Sequence, residues 1–560
     1  MINRIKKKFL QTSPWQLAVL ICVLMILTVV MILPLFSLFA QAFRDREGAF
    51  VGLANFIEYF RTPALARSIW NTIDISIVTA VISVTLGFLY AYALTRTRIK
   101  ARTFFRYVAL IPIFIPTVVH AIGLIYLFGR QGVFTRLGFE IELYGRVGLI
   151  ISQVIYTFPQ AFLMFFVTLE YADGRLYEAA EAMGVKPITQ FFKITLPEVK
   201  FTLINAIFVC FTLAFTDFGA PMVIGGGFNV LATDLHTQIT GLFNFSMGAV
   251  VGTLLLFPAI IAFIVNRVTN TANMGAMSAK STQLKIKPNK KRDAFFFTLC
   301  SLISLSFFIL IAALAMGAFT ELYPFNMTLT LDNFRFGQAH GGMTSFTNSI
   351  IMSLLTAVVG TIFVFIYSYM MEKTAGFAFL TKFGKLLSIL PMALPGMVIG
   401  VSFILFFNSP SNPLNFVFGT IIILVLANVL SFFSVPFLTA TGALKKLDRE
   451  FEHVSDSMSI PRWKLLLRVS APMSFPAILE IFMYYFVTSM VTISALVFLY
   501  SPTFRIASIS IAHMHQAGDA AQAAAMSLLI LAVNVAMRLL YEVVIFRIKR
   551  KNKKRAESST

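Results

Sequence analysis

Few side chains in this sequence are equipped for chemistry, and their positions say what kind of chemistry it is. Inside the long apolar stretches the ionisable residues that stand out are His120, Asp217 and Glu480. A charge left facing lipid costs about 2.5–3.5 kcal/mol, so each needs a partner or a polar cavity. Asp217 sits in Phe215-Thr216-Asp217-Phe218-Gly219-Ala220-Pro221, where Thr216 and Asp217 could line a path for a polar solute. The corresponding stretch of the second half, Val491-Thr492-Ile493-Ser494-Ala495, offers only the hydroxyls of Thr492 and Ser494. The other reading of Asp217 is a cap on a short outer helix. His120 and Glu480 read as interhelical hydrogen-bonding residues. Pro112, Pro116, Pro391 and Pro395 each free a backbone carbonyl, which is tolerated in a span where protein or a water-lined cavity can satisfy it. They read either as pathway residues or as plain kinks.

Catalytic patterns are missing. No His-Glu-x-x-His spacing occurs, and the scattered ionisable residues do not gather at one depth as a membrane enzyme would need. No Gly-x-x-x-x-Gly-Lys-Ser/Thr loop is present, and Gly225-Gly226-Gly227 has no lysine after it, so the chain has no phosphate cradle of its own. Cys22, Cys210 and Cys300 fall in apolar segments and read as packing residues with no metal spacing.

The elements that carry these residues are membrane helices. Of 560 residues 58% are hydrophobic and only 13% charged, against about 25% charged in soluble domains. Mean hydropathy is +0.81. Twelve apolar stretches are long enough to cross a bilayer, near 15–40, 70–94, 105–129, 146–170, 201–224, 245–267, 294–318, 347–371, 385–408, 414–440, 475–500 and 522–546. The net charge of +21 lies in short runs between them, such as Arg4 to Lys8, Arg96 to Arg106 and Arg547 to Arg555. With the N-terminus inside, Lys and Arg are in roughly four-fold excess on the inner side, which sets the orientation and argues against nucleic-acid binding. The first stretch is too long for a signal peptide and reads as an uncleaved span.

The two halves repeat. At a shift of roughly 275–279 residues landmarks recur in order. Asn55-Phe56 answers Asn333-Phe334, Asn71-Thr72 answers Asn348-Ser349, Pro112 and Pro116 answer Pro391 and Pro395, and Pro197 answers Pro472. Six spans per half make the repeats parallel, with a pathway expected at their interface. The expected division is a first repeat over 1–268, a polar and basic cytoplasmic linker over 269–293, a second repeat over 294–546 and a basic cytoplasmic tail over 547–560.

The loop over 171–200 carries the most specific pattern. It reads Leu176-Tyr177-Glu178-Ala179-Ala180-Glu181-Ala182-Met183-Gly184, then nine residues, then Ile194-Thr195-Leu196-Pro197. Ala and Glu favour a short helix over 176–183, Gly184 can end it, and a second segment over 188–194 runs to Pro197. The product is a helix-turn-helix knob whose small Ala179 and Ala180 allow close approach and whose Glu178 offers a charge. This resembles the EAA loop of bacterial ABC importer permeases. The resemblance implies an all-α membrane protein of twelve transmembrane helices, built as two parallel six-helix repeats of the type I importer fold. It implies that the knob, with Leu196 and Pro197 at its end, docks on a separate ABC ATPase subunit in two copies. ATP and Mg would sit on that ATPase, with no cofactor on this chain. An extracytoplasmic solute-binding protein would deliver the solute to a permease in the cytoplasmic membrane of a bacterium. The loop over 441–474 is a worn copy, with His453 for Glu178, Ser459 for Gly184 and Pro472 retained. The glutamate contact does not carry over to His453, so the two knobs are expected to couple unequally.

Two strings, Gly48 to Phe56 and Ile493 to Pro502, resemble fused permeases for 2-aminoethylphosphonate, which makes that solute the expected cargo. Similar fused permeases import ferric iron, the alternative, and thiamine permeases share the layout. A secondary transporter of 6+6 architecture explains the duplication but needs no such loop.

Overall fold

Leucine, valine, isoleucine and phenylalanine run through every long stretch, and in lipid a continuous apolar run satisfies its own backbone as a helix. The computed structural model describes residues 14–273, 284, 286–337, 340–373, 378–448 and 450–557. The basic run Arg4 to Lys8, the middle of the linker and Lys285 lie outside the described residues. Among those described, nine helices are long and apolar enough to span a membrane, or up to twelve if three bent pairs each count as one span. The protein is an all-α membrane protein built as two helical repeats.

The first repeat runs through α1 (Pro14–Ala42), α2 (Ala54–Arg61), α3 (Pro63–Arg96), α4 (Arg102–Val108), α5 (Thr117–Phe128), α6 (Arg146–Glu170), α7 (Gly174–Ala182), α8 (Leu196–Thr216), α9 (Gly219–Ile224), α10 (Leu231–His236) and α11 (Phe245–Asn273). The second runs through α12 (Lys290–Phe319), a small antiparallel hairpin of β1 (Thr320–Leu322) and β2 (Asn326–Leu329), α13 (Gly342–Lys373), α14 (Ala378–Ile389), α15 (Gly396–Phe407), α16 (Ile421–Ser431), α17 (Ser434–Lys445), α18 (Glu450–Ser457), α19 (Phe475–Val491), α20 (Ala507–Gln516) and α21 (Ala520–Glu557).

Several expected spans are broken. The stretch at 105–129 divides at Pro112 and Pro116 into α4, a tight turn at Ile111–Phe114, and α5. Its counterpart at 385–408 divides at Pro391 and Pro395, with α14 and α15 meeting at 110°. The fifth stretch, expected over 201–224, stops at Thr216 and resumes as α9. The eleventh, expected over 475–500, is helical only to Val491. The stretch at 414–440 bends by 60° between α16 and α17. The linker is shorter than expected, because α11 continues to Asn273 and α12 begins at Lys290.

The chain forms two compact units that do not follow the sequence repeats. One contains residues 42–340 and 510–528; the other contains the chain up to Gln41, 341–509 and 529 onward. In the first unit α12 packs on the first repeat, with Tyr90 and Ser304 hydroxyls 3.0 Å apart and Phe105 and Phe297 ring centroids 5.6 Å apart. In the second unit Leu24 of α1 packs beside Gly384.

Each unit repeats the same interior. Tyr90 donates to the Phe105 carbonyl (2.9 Å) and meets Phe158 and Phe162 edge-on, the two phenylalanines being stacked at 6.3 Å. Tyr367 donates to the Gly384 carbonyl (2.8 Å) and meets Phe433 and Phe437 edge-on, again stacked at 6.3 Å. Lipid is as apolar as these rings, so fitted packing and the hydrogen bond, not exclusion from water, select this arrangement. The sequence landmarks also hold equivalent bonds. Asn55 donates to the carbonyls of Ala42 and Arg44, and Asn333 to those of Ala318 and Thr320. The N–H of Leu231 donates to Thr72, and that of Ala507 to Ser349. Cys210 and Cys300 are buried, whereas Cys22 is exposed on α1, contrary to its expected packing role.

Candidate functional site

Two features recur in both units: a meeting of broken helices and an exposed knob. Proline at 116 leaves Thr117 as the first residue of α5, and Asp217 ends α8 in an extended conformation (ψ 135°). The Asp217 carboxylate lies within hydrogen-bonding reach of the Thr117 hydroxyl and the N–H groups of Phe218, Gly219 and Ala220. The Ala220 bond is 3.3 Å. Asp217 is therefore a buried cap that ties α9 to the proline break of the third stretch. Its counterpart Thr492 ends α19 with the same extended backbone (ψ 140°), and its carbonyl accepts from Ser508 at 2.8 Å. There the break packs on α15: a methyl group added at Gly400 would lie 2.7 Å from the Ala495 carbonyl, and one at Gly396 would lie 3.2 Å from the Ser494 Cβ. Thr216 bonds back to the Thr212 carbonyl within its own helix. Pro112, Pro116, Pro391 and Pro395 are all buried.

The remaining intramembrane candidates separate. His120 is fully buried in α5, beside the Pro112 carbonyl. Glu480 is exposed on α19, on the side toward Tyr541, rather than buried between helices.

The knob begins with Asp173, whose side chain accepts from the N–H of Arg175 at the start of α7. It ends on Gly184, at φ 70°. The Val185 N–H returns to the Ala180 carbonyl (2.9 Å) and the Gly184 N–H to Glu181 (2.9 Å), the paired bonds of a left-handed helix stop. A short turn at Pro187–Gln190 then leads through a widened turn into α8, with Pro197 tolerated in the first turn beside Leu196. Tyr177 holds the knob down: its hydroxyl lies 2.9 Å from that of Thr195 and donates to Glu198 at 3.3 Å. Burial raises the Tyr177 phenol above its ordinary pKa, which keeps the hydroxyl proton on. Ala180 is buried beneath α7, whereas Glu178 and Ala179 face outward.

The second knob has the same geometry despite its different sequence. Ser459 adopts φ 54° at the position of Gly184, and the Ile460 N–H returns to the Ser455 carbonyl at 2.8 Å. His453 and Pro472 are exposed. A set of residues that sequence reading passed over lies on the crest of both knobs. Leu176, Met183, Ile188 and Phe192 are exposed on the first, and Phe451, Met458, Trp463 and Leu467 at the equivalent places on the second. Met183 is 74% and Met458 66% exposed, so the crest is apolar and bare. The signal was available in the repeat alignment, because apolar residues recurred in loops that needed none.

Duplicated, proline-broken membrane helices, each set with its knob, are the features that the family match below accounts for. Residues 83–273 and 368–550 each match the family described as binding-protein-dependent transport system inner membrane component. The chain belongs to that family and carries its domain twice: it is a fused, multi-pass inner-membrane permease of a bacterial ABC importer. A protein of Haemophilus influenzae named as a candidate ferric transport system permease, FbpB 1, is 27% identical over 90% of this chain and 80% of its own length. The ferric transport system permease protein FbpB of Actinobacillus pleuropneumoniae is 26% identical over 99% of this chain and 82% of its own length. A bacterial ABC transporter involved in import of the acidic polysaccharide alginate matches 49% of this chain and 99% of its own at 18% identity, with a TM-score of 0.40.

Proposed function

We propose that this permease imports ferric iron, receiving it from a solute-binding protein and drawing on two copies of an ABC ATPase that dock on its two knobs. The observation that carries the docking reading is the repeated apolar crest. Four exposed apolar residues recur at equivalent positions on two knobs with the same left-handed stop. Bare apolar surface on a protruding, rigid element is what a protein partner buries. Glu178 and His453 lie beside the crests, so they tune the contact rather than create it. Both knobs follow an even number of spans, which puts them on one side of the membrane. The excess of Lys and Arg makes that side, and both termini, cytoplasmic. ATP and Mg belong to the ATPase.

Cargo rests on the relatives. The two fused permeases reported above are named for ferric transport, which moves the reading from 2-aminoethylphosphonate to ferric iron. Within each unit the helix break, at Asp217 in one and at Thr492 in the other, is the proposed place of solute contact, as is usual in discontinuous membrane helices.

The test is uptake by proteoliposomes holding this chain with its genetically adjacent ATPase and binding protein. Radioactive ferric iron and 2-aminoethylphosphonate are offered separately with ATP inside. ATP-dependent iron accumulation supports the proposal. Accumulation of phosphonate alone overturns the cargo while leaving the importer intact. Failure of the ATPase to cross-link to cysteines placed at Met183 and Met458 overturns the docking assignment.

A further inference from the structure

In each unit a buried cation at the end of the second long helix grips the knob. Arg96, the last residue of α3, is only 7% exposed. Its guanidinium carbon lies 5.0 Å above the Tyr177 ring of α7. One nitrogen donates to the Leu169 carbonyl near the end of α6 (3.0 Å) and to that of Thr95 (3.3 Å). Tyr177 passes the contact to Thr195 and to Glu198 at the start of α8. One side chain thus touches the knob and the inner end of another long helix, and through Tyr177 it reaches a third. The guanidinium also acts electrostatically on the Tyr177 hydroxyl and on the Glu198 carboxylate. Burying a guanidinium carries a desolvation penalty, so packing alone does not account for an arginine here.

The second unit has a cation at the same place in different chemistry. Lys373, the last residue of α13, pairs with Glu452 of α18 at 2.5 Å, with side-chain exposures of 8% and 20%. Glu452 stands where Tyr177 stands in the first knob. A cation–π contact in one unit and an ion pair in the other keep one geometry while the residue types diverge. A role in packing would be met more cheaply by apolar residues, since burying a charge pair carries a desolvation penalty. What the two pairs share is a directional link from knob to span.

We propose that Arg96 and Lys373 are positioning residues that transmit knob movement to the membrane helices, so that they set how much transport each ATP drives. The proposal rests on the knobs being the ATPase docks. An apolar substitute would let the knob move without the span following, because contact without charge attraction gives no pull. Coupling free energies between sites usually correspond to ~5–150-fold effects.

The experiment measures ATP hydrolysis and uptake together in proteoliposomes of the full complex. Arg96→Met and Lys373→Met should each lower transport per ATP at least about fivefold, the smaller end of usual coupling effects. Arg96→Lys, which can keep a cation over the ring, should recover much of it. The exchange Lys373→Glu with Glu452→Lys should transport better per ATP than either single variant. Unchanged transport per ATP in both Met variants overturns the proposal. Should Arg96→Met fail to assemble, the exchange decides: no recovery over its single variants also overturns it. Cross-linking of the ATPase to Met183→Cys is run on the same complexes. Its loss in the otherwise native chain refutes the docking reading itself, whereas retained cross-linking with full coupling in the Met variants refutes only the transmission role.

Discussion

The stop of each knob offers a direct test of the backbone argument. Gly184 sits at φ 70° and Ser459 at φ 54°, both in the left-handed region. A side chain there costs ~1–2 kcal/mol. A methyl group added at Gly184 would meet nothing within 4 Å, so Gly184→Ala changes the backbone term alone. Stiffening the unfolded chain returns ~0.4–1 kcal/mol, which leaves a net loss of about 1 kcal/mol. The paired bonds from Gly184 and Val185 to Glu181 and Ala180 would weaken, and α7 would open more often. Amide exchange in residues 179–185, followed by mass spectrometry in nanodiscs, should then speed up about fivefold, since exchange from local opening follows the opening equilibrium. Ser459→Gly should slow exchange at 454–460 by about two- to fivefold by the same reasoning. Unchanged exchange in both variants would show that the left-handed stops are not what holds the knobs in shape.

Two further outcomes follow from buried polar groups. Asn55→Ala leaves the carbonyls of Ala42 and Arg44 without their side-chain donor, at a cost of about 1–3 kcal/mol for a buried group left unpaired. Asn333→Ala should cost less because its bonds are only part-buried, and thermal melting in detergent ranks the two. On α10, outside the spans, burial raises the Asp234 carboxyl to about 6 and lowers the His236 imidazole to about 4, with His513 adding to the latter. Folded Asp234 holds its proton more tightly than the unfolded chain does, so stability falls as pH rises through roughly 4 to 6. Folded His236 resists protonation, so stability falls as pH drops from roughly 6.5 to 4. These slopes oppose each other in the native protein. Asp234→Asn should expose the histidine slope, seen as a melting temperature that drops with acidification across that window, and a flat profile would count against His236.

Sequence alone determined the solvent, the duplication and the knob. These depend on local quantities: apolar run length, loop charge and the order of Asn, Pro and Gly landmarks. The Asn55 and Asn333 match predicted equivalence, and the two side chains hold equivalent carbonyls. Other parts were decided by packing between distant segments. A cap on a short outer helix was one of two readings of Asp217 open in the sequence, and packing chose between them, because the cap's tie to the proline break depends on Thr117 arriving from a different helix. That α1 packs with the second repeat and α12 with the first is likewise not legible in a division by sequence repeats. Arg96 looked like one more loop cation of the positive-inside pattern. Only the tertiary fold buries it above Tyr177, since a cation's partner is set by which surfaces meet and not by its neighbours along the chain.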